Sequence, residues 1–225
     1  GDGSLRAAIN CVNATPGSNK IYFNIPGTGP HTIEVGSTSG EALPALLDQS
    51  TILDASTQTG FGDNGNFAPL IILDGQTYEW ELPINALWVR GDYCEVYALE
   101  IINFPDDAID VNQANFVVIG AVEKGNVIYN NGWEQDFFSG VPNTGPWNGC
   151  GIVLRLGSEE STIQWNIIGT NYQGDVALGN EFCGILIQDG GDNHVIGGPQ
   201  VGAGNIIAHH ETGIRIQSNS NGNLI

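Results

Sequence analysis

The stretch "GGDNHVIGGPQVGAGNII", residues 190–207, packs six glycines around a Val-Ile and an Ile-Ile pair, with one histidine at 194. A phosphate-binding glycine loop would need a strand, a G-x-G-x-x-G run and then a helix. Here Gly202-Ala203-Gly204 runs straight into Asn205-Ile206-Ile207. Ile207 stands where the third glycine belongs, and the residues after it read as another strand. An earlier copy, "VIGAVEKGNVI" at 118–128, keeps the flanking apolar pairs but has Ala121, Val122, Glu123 and Lys124 in place of most of the glycines. A binding loop does not tolerate that exchange, whereas a corner between two strands does. The stretch is therefore one rung of something that repeats.

Other echoes support a repeat. Gly-Ile strands start at 151, 184 and 213, and Asn precedes an apolar pair at 126, 166, 205 and 223. "ILDA" at 52–55 and "ILDG" at 72–75 lie 20 residues apart, which suggests the length of one coil. Between them and beyond run short strand-like segments, among them "KIYFNIPG", "HTIEV", "VYALEIINF", "TIQWNIIG" and "NIIAHH", separated by Gly, Asn, Asp or Pro. The one convincing helix is the opening "GSLRAAINCVNATPG". Leu5, Ala8, Ile9 and Val12 share a face, Ser4 can cap the start, and Pro16-Gly17 ends it. These signals predict an all-β chain folded as a right-handed parallel β-helix. A capping helix over 1–17 would cover the open end of the solenoid, and coils would fill 18–225 as a single β-helix domain. Gly and Asn would take the left-handed corners, stacked Asn side chains would form amide ladders, and Ile/Val pairs would fill the narrow interior.

Composition narrows the function classes. Among 225 residues stand 32 glycines, no methionine, and 25 Asp+Glu against 6 Lys+Arg, for a formal net charge of -19. Nucleic-acid affinity comes largely from Lys and Arg neutralising phosphates, so a nucleic-acid partner is excluded. Anionic membranes and polyanionic glycans are repelled at long range. No apolar run approaches the roughly 20 residues of a membrane span. Cys11, Cys94, Cys150 and Cys183 show no C-x-x-C spacing; they read either as buried thiols or as one or two disulfides of a secreted chain. The chain opens on a motif rather than on Met, which reads as a fragment of a longer chain.

At this point "GDGSLRAAIN", "IYFNIPGTGPHTIEV", "LPAL", "TILDASTQTG" and "IILDG", with the later "NIIGTNYQGDVALGN" and "AGNIIAHHETGIRI", resemble secreted bacterial pectin-lyase-like β-helix repeat proteins. Those proteins open on a Cys-Ser-Leu-Arg-Glu-Ala-like motif; here Gly3 stands for the Cys and Ala7 for the Glu. The resemblance implies a right-handed parallel β-helix and an extracellular or cell-surface location. It also implies neighbouring domains or subunits of a larger assembly, and the architecture carries both enzymes and passive modules.

Candidate chemistry is sparse. Asp106 and Asp107 in "FPDDAIDV" are the best catalytic pair, since two carboxyls at a strand start can serve as acid and base on a glycosidic bond. The string is similar to the Gly-Asp-Asp-Cys-Ile-Ala of β-helical polygalacturonases, with Pro105 in place of that Gly; "GIRIQ" has Gln217 where their Lys belongs. The competing reading makes the two residues turn-forming acids between coils. A lyase would need cations beside a uronate, and Arg90, Arg155 and Arg215 are the only arginines after the cap, with Lys124 the only late lysine. Calcium, a hard cation, could sit among Asp106, Asp107 and Asp110, or at Asp189 and Asp192; against this, neither an EF-hand loop nor a calcium-binding nonapeptide occurs. His194, His209 and His210 lack metal-ligand spacing, and 209 and 210, if on a strand, face opposite ways. The most functional-looking element is the insertion "NGWEQDFFSGVPNTGPWNG", a loop over about 131–148 that lengthens one coil. Its Trp133, Phe137, Phe138 and Trp147 could offer flat platforms to a glycan or a surface protein, or fold back on the solenoid flank. "YEWELP" at 78–83 is a smaller projection of the same kind. The expected role is structural, adhesive or glycan-binding, with a polysaccharide-degrading enzyme as the alternative.

Overall fold

The computed structural model describes residues 3–36, 42–76, 84–132 and 149–225. Its strands form three sheets, every pairing parallel. The first sheet runs Lys20–Tyr22, Ile52–Asp54, Glu95–Tyr97, Val118–Ile119, Thr162–Ile163, Val195–Ile196. The second runs His31–Glu34, Ile71–Asp74, Leu99–Ile102, Val127–Tyr129, Ile167–Ile168, Ile206–Ile207. The third comprises Leu87–Val89, Ile109–Asn112, Cys150–Arg155, Cys183–Ile187 and Thr212–Ile216. After a first coil that meets the third sheet only by the Leu46–Val89 bridge, the chain visits the three sheets in turn, one strand each per coil, which is the parallel β-helix that the repeats predict, consistent with a right-handed winding.

Register explains the core. Ile21, Leu53, Val96, Ile119, Ile163 and Ile196 stack along the first sheet; Leu73, Ile101, Ile128 and Ile168 along the second; Leu87, Ile109, Ile152 and Ile185 along the third. All belong to one continuous apolar cluster. The helix spans Leu5–Asn13; Ser4 Oγ accepts the Ala7 N–H, and Leu5, Ile9 and Val12 are buried in the same cluster.

The corners hold the amide ladders. Asn126 Nδ2 donates to Asn166 Oδ1 at 2.9 Å, and Asn166 Nδ2 to Asn205 Oδ1 at 3.1 Å. Each Oδ1 also accepts a backbone N–H from the coil before, those of Leu99, Asn126 and Asn166. A second ladder runs Asn131, Asn180, His210, and a third Ser161, His194, Asn223. Asn223 thus belongs to a different corner from the other three Asn-apolar triplets, because its neighbour Leu224 pairs with Val195 of the first sheet.

Three expectations are corrected. Ile52 lies in the first sheet and Ile72 in the second, so the "ILDA"/"ILDG" echo relates two sides of one coil and does not measure its length. "VYALEIINF" and "TIQWNIIG" are each two strands broken by a single left-handed residue, Ala98 (φ 58°) and Trp165 (φ 59°). Left-handed corners are also not reserved for Gly and Asn: Tyr93, Phe116, Gln113 and Leu156 adopt them too. The penalty of roughly 1–2 kcal/mol for each such residue is offset by stacking where partners exist. Tyr93 and Phe116 lie ring on ring at 4.7 Å, nearly parallel.

Candidate functional site

The segment Pro105–Asp110 enters the third sheet, and its three carboxyls meet distinct fates. Asp107 is buried, and its Oδ1 accepts the N–H groups of Gly149 (3.1 Å) and Cys150 (2.8 Å) from the next coil. Its own N–H donates to Asn85 Oδ1 of the coil before. Asp107 therefore bridges three coils much as the corner asparagines do. Burial first, then the neighbouring Asp106 charge, holds its carboxyl well above the usual carboxylate range; a neutral carboxyl suits a site where an amide would serve.

Asp110 is fully buried and clamped by Arg155, whose Nε donates to Oδ1 at 3.1 Å and Nη2 to Oδ2 at 2.6 Å, with Asn85 Nδ2 on Oδ2 at 3.1 Å. A bidentate guanidinium–carboxylate pair leaves little of Asp110 for a substrate or a cation. Asp106 differs. Its Oδ1 is buried without a hydrogen-bond partner among the described residues, and burial pushes the carboxyl up to about 6, against the pull of Arg155. The supposed pair is thus one structural residue beside one with an uncommitted oxygen.

The structure brings this cluster to the root of the insertion. Gly132 and Gly149 touch backbone to backbone: a Cβ on Gly132 would stand 2.0 Å from the Gly149 Cα. The two ends of the insertion thus meet beside Asp107. One residue on, Cys150 forms a disulfide with Cys183. That bond joins Val153, Leu186 and Phe182 in a second apolar cluster, separate from the interior. Of the four cysteines, Cys11 is exposed and free, and Cys94 is buried and free, its thiol pushed up to about 11 by burial. Trp133, Phe137, Phe138, Trp147 and the "YEWELP" projection lie outside the described residues.

The remaining sequence candidates are separate. Asp189 occupies a left-handed corner, and Asp192 Oδ1 accepts the Asn221 N–H. Among the described residues no three His, Cys, Asp or Glu side chains are grouped to hold a metal ion, and no helix is long and apolar enough to cross a membrane. His209 and His210 sit in a turn beyond the Ile206–Ile207 strand, so they do not alternate across a sheet as expected. His194 and His210 instead complete ladders: their Nδ1 atoms accept the N–H of Ser161 and of Asn180, each at 3.0 Å. An acceptor nitrogen must be unprotonated, and burial accordingly drives His194 down to about 4 and His210 in the same direction.

Sequence reasoning missed Asn85, Trp165 and the pairing of Arg155 with Asp110. Arg155 is legible as the charge closing a Gly-Ile strand, yet its partner Asp110 lies 45 residues earlier. Trp165 is signalled more directly. Both sister copies carry Gly immediately before the ladder asparagine, at 125 and 204, where this one carries Trp.

No protein-family model matches the chain, and no curated protein matches it. Among solved structures the chain is similar to the A-module of the mannuronan C-5 epimerase AlgE6 of Azotobacter vinelandii, at 12% identity and a TM-score of 0.47, over 97% of this chain and 52% of that one. The chain spans about half the length of that structure.

Proposed function

We propose that the chain is an exported β-helix module of the extracellular space or cell surface, with an adhesive, glycan-binding role carried by the insertion at 131–148. The observation that carries this reading is where the insertion is rooted. Its two ends close on each other at Gly132 and Gly149, next to a disulfide and a coil-bridging carboxyl. A segment whose two ends are pinned together has less freedom to lose on binding, and Trp133, Phe137, Phe138 and Trp147 are side chains of the kind that sugars stack on. The Cys150–Cys183 bond also fits an oxidising compartment. The test is a glycan array probed with the wild-type chain and with Trp133→Ala and Trp147→Ala. Loss of signal in either variant supports the reading, and full retention in both removes the loop from it.

One observation favours the alternative, a polysaccharide-degrading enzyme. Asp106 combines an Oδ1 without a partner among the described residues with a carboxyl raised to about 6, a value that suits a general acid. Reducing-sugar release that disappears in Asp106→Asn would establish it.

A further inference from the structure

A groove of about 420 Å³ opens on the outer surface between the first and second sheets, where Trp165 and Tyr172 flank a floor of Ile167 and Ile206. Its lining carries no charged side chain. Trp165 is a bulky residue held at φ 59°, a conformation that calls for an explanation. Tyr93 and Phe116, in the same backbone state, stack on each other; Trp165 stacks on no ring among the described residues. It is seated instead between glycines. A Cβ on Gly202 would stand 2.1 Å from the indole Cζ3, and one on Gly125 2.6 Å from its Cδ1. Two neighbouring coils thus make room for this one ring. Opposite it, Tyr172 sits in a turn closed by Asn171, whose Oδ1 accepts the N–H groups of Asp175 and Val176. The indole N–H and the phenol O–H donate to no protein group among the described residues.

From this arrangement we infer a second binding site, for a neutral saccharide. The inference rests on the glycan-binding reading above but places a site away from the insertion. Two aromatic surfaces fit the C–H faces of a pyranose ring, and the two unpaired donors fit its hydroxyls. The lining holds no cation to pair with a carboxylate or sulfate, and a molecule of net charge -19 repels polyanionic glycans. The space suits one or two sugar units. A cationic peptide stacking on the same rings is the rival occupant.

The test is calorimetric titration of the full chain with cello-, chito-, malto- and manno-oligosaccharides, polygalacturonate and a lysine-rich peptide. The same titrations are run on Trp165→Ala, Tyr172→Phe and Trp133→Ala/Trp147→Ala. Trp165→Ala keeps the fold, because Ala98 already occupies the equivalent corner at φ 58°; far-UV circular dichroism checks this. A neutral oligosaccharide bound by wild type, weakened about 10-fold or more by Trp165→Ala and several-fold by Tyr172→Phe, supports the site. Binding abolished only by the Trp133/Trp147 pair overturns this inference while leaving the loop reading intact. Binding of the peptide alone overturns the saccharide assignment, and no binding of any glycan overturns both readings.

Discussion

The carboxyl of Asp106 and the imidazole of His194 titrate in nearly the same window with opposite consequences. Asp106 is raised from 3.8 to about 6, so between those values the folded chain binds more protons than the unfolded one, and its contribution to stability falls as pH rises. His194 is lowered from 6.5 to about 4, so there the unfolded chain binds more protons, and its contribution is complete above 6.5 and lost as pH falls. In wild type the two slopes largely offset each other. Urea-denaturation midpoints between pH 4 and 7 are expected to separate them. Asp106→Asn should leave a chain whose stability rises with pH relative to wild type. His194→Asn, which keeps an acceptor in the ladder, should leave one whose stability, relative to wild type, falls as pH rises, because it escapes the acid-end loss, on the order of 2–3 kcal/mol, that the imidazole imposes on wild type. Parallel curves for all three proteins would exclude the ladder role assigned to the neutral imidazole. Nothing in the sequence announces this role, because an imidazole replaces an amide only once the coils are in register.

At the level of the element, the ladder is the unit that turns a corner. Asn166 is the middle rung of three: its Oδ1 takes two donors from Asn126 and its Nδ2 serves Ile119, Gln164 and Asn205. Asn166→Ala orphans buried groups on both neighbouring coils, with an expected loss of about 2–4 kcal/mol, read as a lower melting temperature; a loss under about 0.5 kcal/mol would mean that water replaces the rung. These asparagines were legible because each precedes an apolar pair, and the interior was legible because Ile and Val recur in short runs. The breaks at Ala98 and Trp165 were not. A left-handed corner made by an ordinary side chain leaves no Gly, Asn or Pro to mark it, and its conformation is imposed by the strands on either side. The roles of Asp107 and Asp110 were equally hidden. Two aspartates three residues apart look alike in sequence, and only partners 42 and 45 residues away separate the amide-bound one from the ion-paired one.

For the whole molecule, each coil rests on its neighbours alone, so stability is a chain of adjacent contacts, and any feature that leaves one coil without disturbing the next is tolerated. The contact between Gly132 and Gly149 is such a place. Because their backbones already touch, a chain in which residue 132 is joined directly to 149 should fold to the same coils, with a melting temperature within about 5 °C of wild type; failure to regain the parent circular dichroism would show that the insertion supports the scaffold. The same geometry makes this corner a socket. Sequence can be added, exchanged or deleted there over evolutionary time, or by design, while the coils beneath persist. What the molecule recognises can therefore change independently of how it folds, and related chains would be expected to agree along the rungs while differing in what they carry between these two glycines.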